Sequence, residues 1–472
     1  MGLTRRQLLA GAGVGALTAA GAYELVDRLT QPAARTAAPV GRPPEQHLLQ
    51  GVREITDNGV EVLVPPLHHQ LVTARLKIED DPKALRDAQA ELENALAKLD
   101  GRYDPTPGGL GVTVGWGLPY FRRYVPALAA RYLPVDRRAS RAKGEERLVL
   151  LDAIRFPSDP PETKLEDNHL VVLLRSDDLT HIADGAKSIF GELDGLFELT
   201  SIRKGFAGGG FGGGTSLPKQ MAMAAGVRGA DLIPDSAELF LGFTSTQKAG
   251  LGPGTIANIE SLGYADGGRD GYFRGGTHMH VSHLFEDLEA WFINFDHRQR
   301  VDTAFRPGLD VPSGTLTVRQ DPRDVATIAD NRQDYRRLGA IGHSAAIQTS
   351  SRLQADHIAE DGTVYRKGTA IPQRADFNTL DNPFFWSIDP ERDGMSAEAG
   401  AGLHFVVFNP TSDDFHRNRL AMDGVLPDGT RLPFSRGDRG QGMNSVLKTT
   451  HRQNFLVPAR AHRSFPLVEL LA

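Results

Sequence analysis

Between residues 69 and 202 the chain runs strand, helix, strand, strand, helix, strand, and this order constrains its architecture more than any other feature. His69 to Ile78 reads as a strand. Pro82 to Leu99 reads as a helix with apolar residues at Leu85, Ala88, Leu92, Ala95, Ala97 and Leu99. Gly109 to Gly117 is a second strand, followed by a helix-rich stretch from Leu118 to Tyr132. His169 to Leu174 is a third strand. Ser176, Asp177 and Asp178 then offer a cap for a helix over Leu179 to Leu193, and Leu196 to Ile202 supplies the fourth strand. Such an order predicts a ferredoxin-like unit, an antiparallel sheet with helices on one face.

The second half repeats the alternation with longer insertions. Leu239 to Phe243 reads as a short strand running into a loop that starts near Gly242. After the Gly275-Gly276 turn a strand follows, on which Thr277, Met279 and Val281 face one way and His278, His280 and Ser282 the other. Leu284, Leu288 and Trp291 recur at helical spacing and predict an amphipathic helix. Strand, glycine loop, strand and helix together suit a cofactor pocket. Leu403 to Phe408 is a strand, Asp413 to Met422 a helix and Asn454 to Val457 a closing strand, giving a second ferredoxin-like unit. Pro307 to Ala326 and Thr369 to Gly402 read as loop-rich insertions over the pocket. The fold class is therefore α+β, with residues 47–214 as one half and 215–472 as the other.

Composition narrows the chemistry. With 40% hydrophobic and 24% charged residues, the chain can bury a full-sized core. Its formal charge is −6, and loss of an N-terminal segment carrying Arg5 and Arg6 would take it to −8. That balance argues against broad nucleic-acid or anionic-membrane binding. There is no cysteine, which excludes disulfides, iron–sulfur clusters, thiolate ligation of haem and cysteine nucleophiles. Thr4-Arg5-Arg6-Gln7-Leu8-Leu9 opens a small, uncharged run ending in Ala20-Gly21-Ala22, so residues 1–22 read as a twin-arginine export signal. The segment after it, residues 23–46, reads as a linker rich in Pro, Ala and Arg between Gln31 and Pro44. These features predict recognition by the twin-arginine export machinery and a location outside the cytoplasm.

Several motifs carry candidate chemistry, each beside a plainer reading. Seven glycines between Gly205 and Gly214 could cradle a phosphate, but no Gly-Lys-Ser/Thr follows them, and a loop near a ligand or domain junction fits as well. His278, His280 and His283 could share a metal ion, or could line a polar strand face. Asp266 ends a G-x-x-D in Gly263-Tyr264-Ala265-Asp266-Gly267 and could act as a general acid or base, or could simply hold an Asp-Gly turn. His343, set among small apolar residues, could ligate a haem iron or be a core histidine. Arg366, in Gly362-Thr363-Val364-Tyr365-Arg366-Lys367-Gly368, could steady a haem propionate or developing negative charge, or sit in a surface turn.

Taken together, the twin-arginine leader, two ferredoxin-like halves, a loop after Leu241-Gly242-Phe243, and Gly275-Gly276-Thr277-His278-Met279 leading to a helix form a recognisable series. With the later Gly342-His343-Ser344, Tyr365-Arg366-Lys367-Gly368 and Phe455-Leu456-Val457-Pro458, the chain resembles the dye-decolourising haem peroxidases from about His69 onward. The resemblance implies one haem b per chain in the second half, with His343 as proximal ligand and Arg366 as distal arginine. It also implies Gly242, Thr277 and His280 around the cofactor, and hydrogen peroxide with a small or aromatic reductant as substrates. A homo-oligomer is a further implication. In that family the distal acid lies in the loop after the L-G-F strand. Here Ser245 stands in that register, so the proton carrier falls to Asp266 or to water held by Ser245. Two rival expectations remain: a haem or tetrapyrrole carrier without turnover, and a metal-dependent enzyme built on His278, His280 and His283.

Overall fold

The structure is a computed structural model that describes residue 26 and residues 41–208, 216–320, 325–381, 399–434 and 439–472. The residues read as an export signal, most of those read as a linker and most of the glycine-rich stretch fall outside the described residues. Residues 41–46, expected to close the linker, are packed into the fold. Arg42 pairs with Asp100 at 3.0 Å, and the buried Gln46 side chain donates to the carbonyls of Val114 and Pro458.

The first unit comprises β1 (His68–Leu76), α1 (Pro82–Arg102), β2 (Gly111–Trp116), β3 (Leu170–Ser176), α2 (Leu179–Ala186) and β4 (Phe197–Phe206). Asp81 caps α1 by accepting from the backbone N–H groups of Lys83 and Ala84, and Pro82 occupies the first turn, where a missing N–H costs nothing. Leu96, rather than Ala97, lies on the buried side of this helix. Asp178 caps α2 in the same way, and a short π-helix, Lys187–Gly191, extends it. The four strands pair antiparallel in the order β4-β1-β3-β2. This is the ferredoxin-like arrangement.

The second unit comprises β5 (Thr277–Glu286), α3 (Leu288–Ile293), α4 (His343–Ser351), β6 (Phe377–Asp381), β7 (Gly400–Asn409), α5 (Ser412–Met422) and β8 (Leu447–Val457). Its strands pair antiparallel in the order β6-β7-β5-β8. Three sequence expectations need correction. Leu239 to Phe243 is a turn, not a strand. Phe240, Leu241 and Phe243 are buried among helices, and Gly242 takes a positive φ of 94° that a strand cannot use. The strand from Thr277 continues to Glu286, so Leu284 belongs to it and the helix begins at Leu288. Residues 369–402, read as a loop-rich insertion, contain the short strand Gln373–Arg374 and all of β6.

The two sheets close on each other. Asn378 of β6 pairs with Phe206 of β4, and Leu456 of β8 pairs with Trp116 of β2. Eight strands thus form a ring whose edges are occupied, which protects unpaired backbone groups from other chains. Alternation along each strand then sorts the side chains. Leu71, Val171, Leu173, Met279, Val281, Phe377, Val406, Phe408, Phe455 and Val457 fill the interior. Val72, Ala74, Leu76, Leu170, Val172 and Leu174 face outward beneath α1 and α2 with Leu85, Leu92 and Ile182. On β5 the outward positions are His278, His280, Ser282, Leu284 and Glu286. Below them, the outer face of the second sheet meets α4 and α5 across a cavity. Among the described residues no helix is long and apolar enough to cross a membrane.

Candidate functional site

The cavity lies between the outer face of the second sheet and helices α4 and α5. Ser282, Leu284 and Glu286 of β5, Leu403, Phe405 and Val407 of β7, and Arg452 of β8 form its floor. His343 and Ile347 of α4 and Phe415 and Arg419 of α5 form one wall, and Leu241, Phe243 and Phe305 add apolar surface. The cavity opens to solvent, and its empty space is about 1700 Å³ with the mouth included.

His343 is the first residue of α4. It follows Gly342, where a β-carbon would sit 2.2 Å from the carbonyl oxygen of Phe305, so only glycine lets the helix start against that backbone. The imidazole is half-buried, and its enclosed Nδ1 has no hydrogen-bonding partner among the described residues. Burial lowers its pKa to about 4, helped by the nearby charges of Arg374 and Arg419. At neutral pH His343 is therefore a neutral ring, the form able to donate a lone pair.

Opposite chemistry comes from the short strand Gln373–Arg374, which pairs with β7 through Gln373↔Phe408 and Arg374↔Val407. Arg374 and Asp376, two residues apart on extended backbone, both reach the cavity. The guanidinium donates from Nη2 to the Ser245 carbonyl and lies 4.0 Å from the Asp376 carboxylate. Asp376 is enclosed, and burial raises its pKa to about 6, with Arg374 and the Val406 N–H (3.0 Å) working in the opposite direction. Ser245 is held in turn by Glu238, whose carboxylate accepts from the Ser245 N–H at 3.0 Å and the Thr246 hydroxyl at 2.8 Å. Burial pushes Glu238 up to about 7. Glu238, Ser245, Arg374 and Asp376 thus form one connected chain of polar contacts ending in the cavity.

Of the residues singled out from sequence, His343 and Ser245 line this cavity, and Gly242 lies between two lining residues, Leu241 and Phe243. Arg366 does not reach it. Its side chain is exposed and donates to Asp356 at 2.7 Å, because the Tyr365-Arg366 segment belongs to a two-stranded surface hairpin. Asp266 is also elsewhere. Its carboxylate accepts from the backbone of Gly268 and Val135 and from Arg137 at 3.1 Å, closing a turn beside the first unit. Thr277 is buried with its hydroxyl donating to the Ala257 carbonyl at 2.8 Å. His280 sits behind Phe415, stacked on it with ring centroids 3.4 Å apart and bonded to Asn454 and Ser282. His283 points to the opposite side of β5, with its ring centroid 5.0 Å from that of His404, so the three strand histidines do not converge. Among the described residues no group of three or more His, Asp or Glu side chains is placed to hold a metal ion.

Sequence reasoning missed Arg374, Asp376 and Glu238. The available signal was the R-x-D spacing of Arg374-Ala375-Asp376, which on extended backbone puts both side chains on one face.

A family model described as a family of unknown function, DUF7405, matches residues 66–459. The chain belongs to DUF7405. No curated protein matches this member of the family. Among solved structures, a DyP-type peroxidase from Cellulomonas bogoriensis superposes with a TM-score of 0.51 at 17% identity, covering 89% of the DUF7405 chain and 96% of its own. A DypB variant from Rhodococcus jostii RHA1, in complex with heme, gives 0.49 at 14% identity over 89% and 98%. The encapsulated DyP-type peroxidase from Mycobacterium smegmatis gives 0.47 at 14% over 85% and 95%. At these identities the likeness to the Cellulomonas protein is one of fold: this DUF7405 chain has the α+β architecture of a DyP-type peroxidase.

Proposed function

We propose that the chain binds one haem b through His343 and uses hydrogen peroxide to oxidise a small or aromatic reductant. The observation that carries this reading is the meeting, in one cavity, of a neutral, half-buried imidazole with an arginine–carboxyl pair. The residues present suit the group. His343 offers a nitrogen donor with no competing hydrogen bond at Nδ1, Leu241, Phe243, Phe305, Ile347 and Phe415 give the cavity apolar surface, and the fold is that of DyP-type peroxidases. Arg352 lines the same cavity, buried, with its Nη1 on the Gly368 carbonyl, and is a cation suited to a propionate.

When bound, haem would supply an iron centre able to receive oxygen from peroxide and to pass electrons singly. The chain's own groups would do the rest. Arg374, fixed by the Ser245 carbonyl, presents N–H donors to oxygen atoms gaining negative charge. It stays protonated and cannot carry the proton. Asp376 can: with a pKa near 6, its carboxyl accepts and returns a proton close to neutral pH. Leu241, Phe243 and Phe305 would offer apolar contact to the bound group. Residues 1–22 fit export by the twin-arginine route, which carries folded protein.

Purified protein mixed with haem tests the reading. The wild type is expected to develop a Soret band that His343→Ala loses or shifts, while His280→Ala retains it. A native spectrum in His343→Ala assigns the wrong histidine. A Soret band with no peroxide turnover at any pH leaves a haem carrier.

A further inference from the structure

A second cavity opens at the mouth of the strand ring, on the other side of Arg374. His69 of β1 and Arg175 of β3, direct neighbours in the ladder, are the last side chains on the interior side beyond Leu71 and Leu173. Segments around His47, Pro65 and Gly252 complete the rim. Its empty space is about 1460 Å³ with the mouth included. Barrel mouths are common ligand sites.

The charge arrangement here is one-sided. No lining residue is acidic, whereas Arg175, Lys248 and Arg374 are all basic. Lys248 is engaged at the surface with Glu54 at 2.9 Å and Glu61 at 3.7 Å, and Arg374 is shared with the first cavity. Arg175 is different. It is 6% exposed and no carboxylate pairs with it among the described residues. Its Nη2 donates to the His47 carbonyl at 2.7 Å, and its Nε has no acceptor. Beside it, His69 is buried with Nδ1 unpartnered. A guanidinium held in the interior without a counter-charge is costly, and proteins ordinarily pair it. Burial alone drags its pKa down to about 10, so it remains charged at neutral pH. Leu49, Leu63, Leu251 and Pro253 give the lining its apolar surface, and Thr246, Thr369 and Gln373 add uncharged polar side chains.

We infer that the mouth of the strand ring is a binding site for an organic anion, a carboxylate on an apolar or aromatic body, with Arg175 as its counter-ion. The carboxylate would complete the Arg175 fork, His69 would add a ring N–H, and the body would lie on the leucines and prolines. Arg374 borders both cavities, so an occupant sits one guanidinium away from the His343 site. The inference stands on the residues of this second cavity and does not depend on haem.

The test is fluorine NMR of haem-free, full-length protein titrated with 4-fluorobenzoate and, separately, with the neutral 4-fluorobenzamide. The carboxylate is expected to bind saturably and at least about tenfold more tightly than the amide. Arg175→Gln should weaken it at least about tenfold, and Arg175→Lys should recover part of the loss. Leu251→Trp narrows the mouth without touching a charge. It should weaken the probe comparably, which keeps the test decisive if Arg175→Gln does not fold. Equal affinity for carboxylate and amide overturns the inference, as does unchanged affinity in the folded Arg175→Gln or Leu251→Trp protein. Binding lost in Arg419→Gln but kept in Arg175→Gln would put the anion in the first cavity and likewise overturn it.

Discussion

Asp376→Asn separates the proton-carrying role of this residue from its structural one, and its effect can be worked out in advance. The carboxyl is enclosed, accepts from the Val406 N–H and is raised from 3.8 to about 6, chiefly by burial. Below pH 3.8 it is protonated in both the folded and unfolded chain and contributes no pH dependence. As pH rises from 3.8 to 6, the unfolded chain releases this proton while the folded one keeps it, so folding stability falls. Above pH 6 the full penalty of about 3 kcal/mol is present, at 1.36 kcal/mol per unit. Asparagine has the same shape, can still accept from Val406 and does not ionise. Urea unfolding of both proteins from pH 4 to 8 is the assay. Glu238 titrates in both and cancels in the difference. The variant is expected to gain on the wild type by up to about 3 kcal/mol between pH 4 and pH 8, with the change centred near pH 5. Two stability curves that run parallel across that range would show that Asp376 is not a buried, raised carboxyl. In haem-loaded protein the same variant should lose about 10²–10⁴-fold in peroxide turnover and its acidic titration limb.

Three further outcomes follow from the placement of charges. Arg374→Leu should cut peroxide turnover by about 10²–10³-fold, whereas Arg366→Leu, which removes an exposed pair with Asp356, should leave turnover intact and move stability by no more than about 1 kcal/mol; steady-state kinetics and urea titration check both. Asp266→Asn should cost about 1 kcal/mol through the turn at Gly268 and the half-exposed Arg137 pair, with no change in the pH profile of turnover. Replacing Arg5 and Arg6 by lysine should leave precursor in the cytoplasm, as read by cell fractionation, since paired guanidinium groups are what the export route recognises.

The sheet was legible because it obeys local rules. Strands β1, β2 and β3 are short apolar runs bounded by turn residues. The helix between β1 and β2 carries its cap and its leucines at the spacing expected, so order and direction followed. Parity on β5 was legible too, since Met279 and Val281 enter the interior while His278, His280 and Ser282 face outward. The closure of two sheets into a ring was not. It rests on contacts such as Asn378 with Phe206 and Leu456 with Trp116, each joining residues far apart in sequence with no local signature. Leu239 to Phe243 misled for the reverse reason: a run of buried apolar residues packs equally well in a turn, and only Gly242 marks it as one.

The site shows the same division in its chemistry. That His343 lines the cavity agrees with the resemblance that singled it out, since its local sequence fits a core histidine as well, and Gly342 marks the tight backbone that seats it. The arginine and acid could not be placed by motif, because the conspicuous candidates, Arg366 and Asp266, are each neutralised locally by an exposed partner, Asp356 and Arg137. An arginine already paired at the surface has little charge left to direct at a ligand. Arg374 differs because its nearest acceptor is the Ser245 carbonyl, a neutral dipole that fixes its position without cancelling its charge. Glu238 makes that possible by holding the Ser245–Thr246 backbone from behind. On the proposed reading, a serine where the resemblance expects an acid therefore does not leave the site without one. The loop supplies an acceptor that orients Arg374, and the carboxyl that shares the cavity with it comes from Asp376, two residues further along the same extended segment.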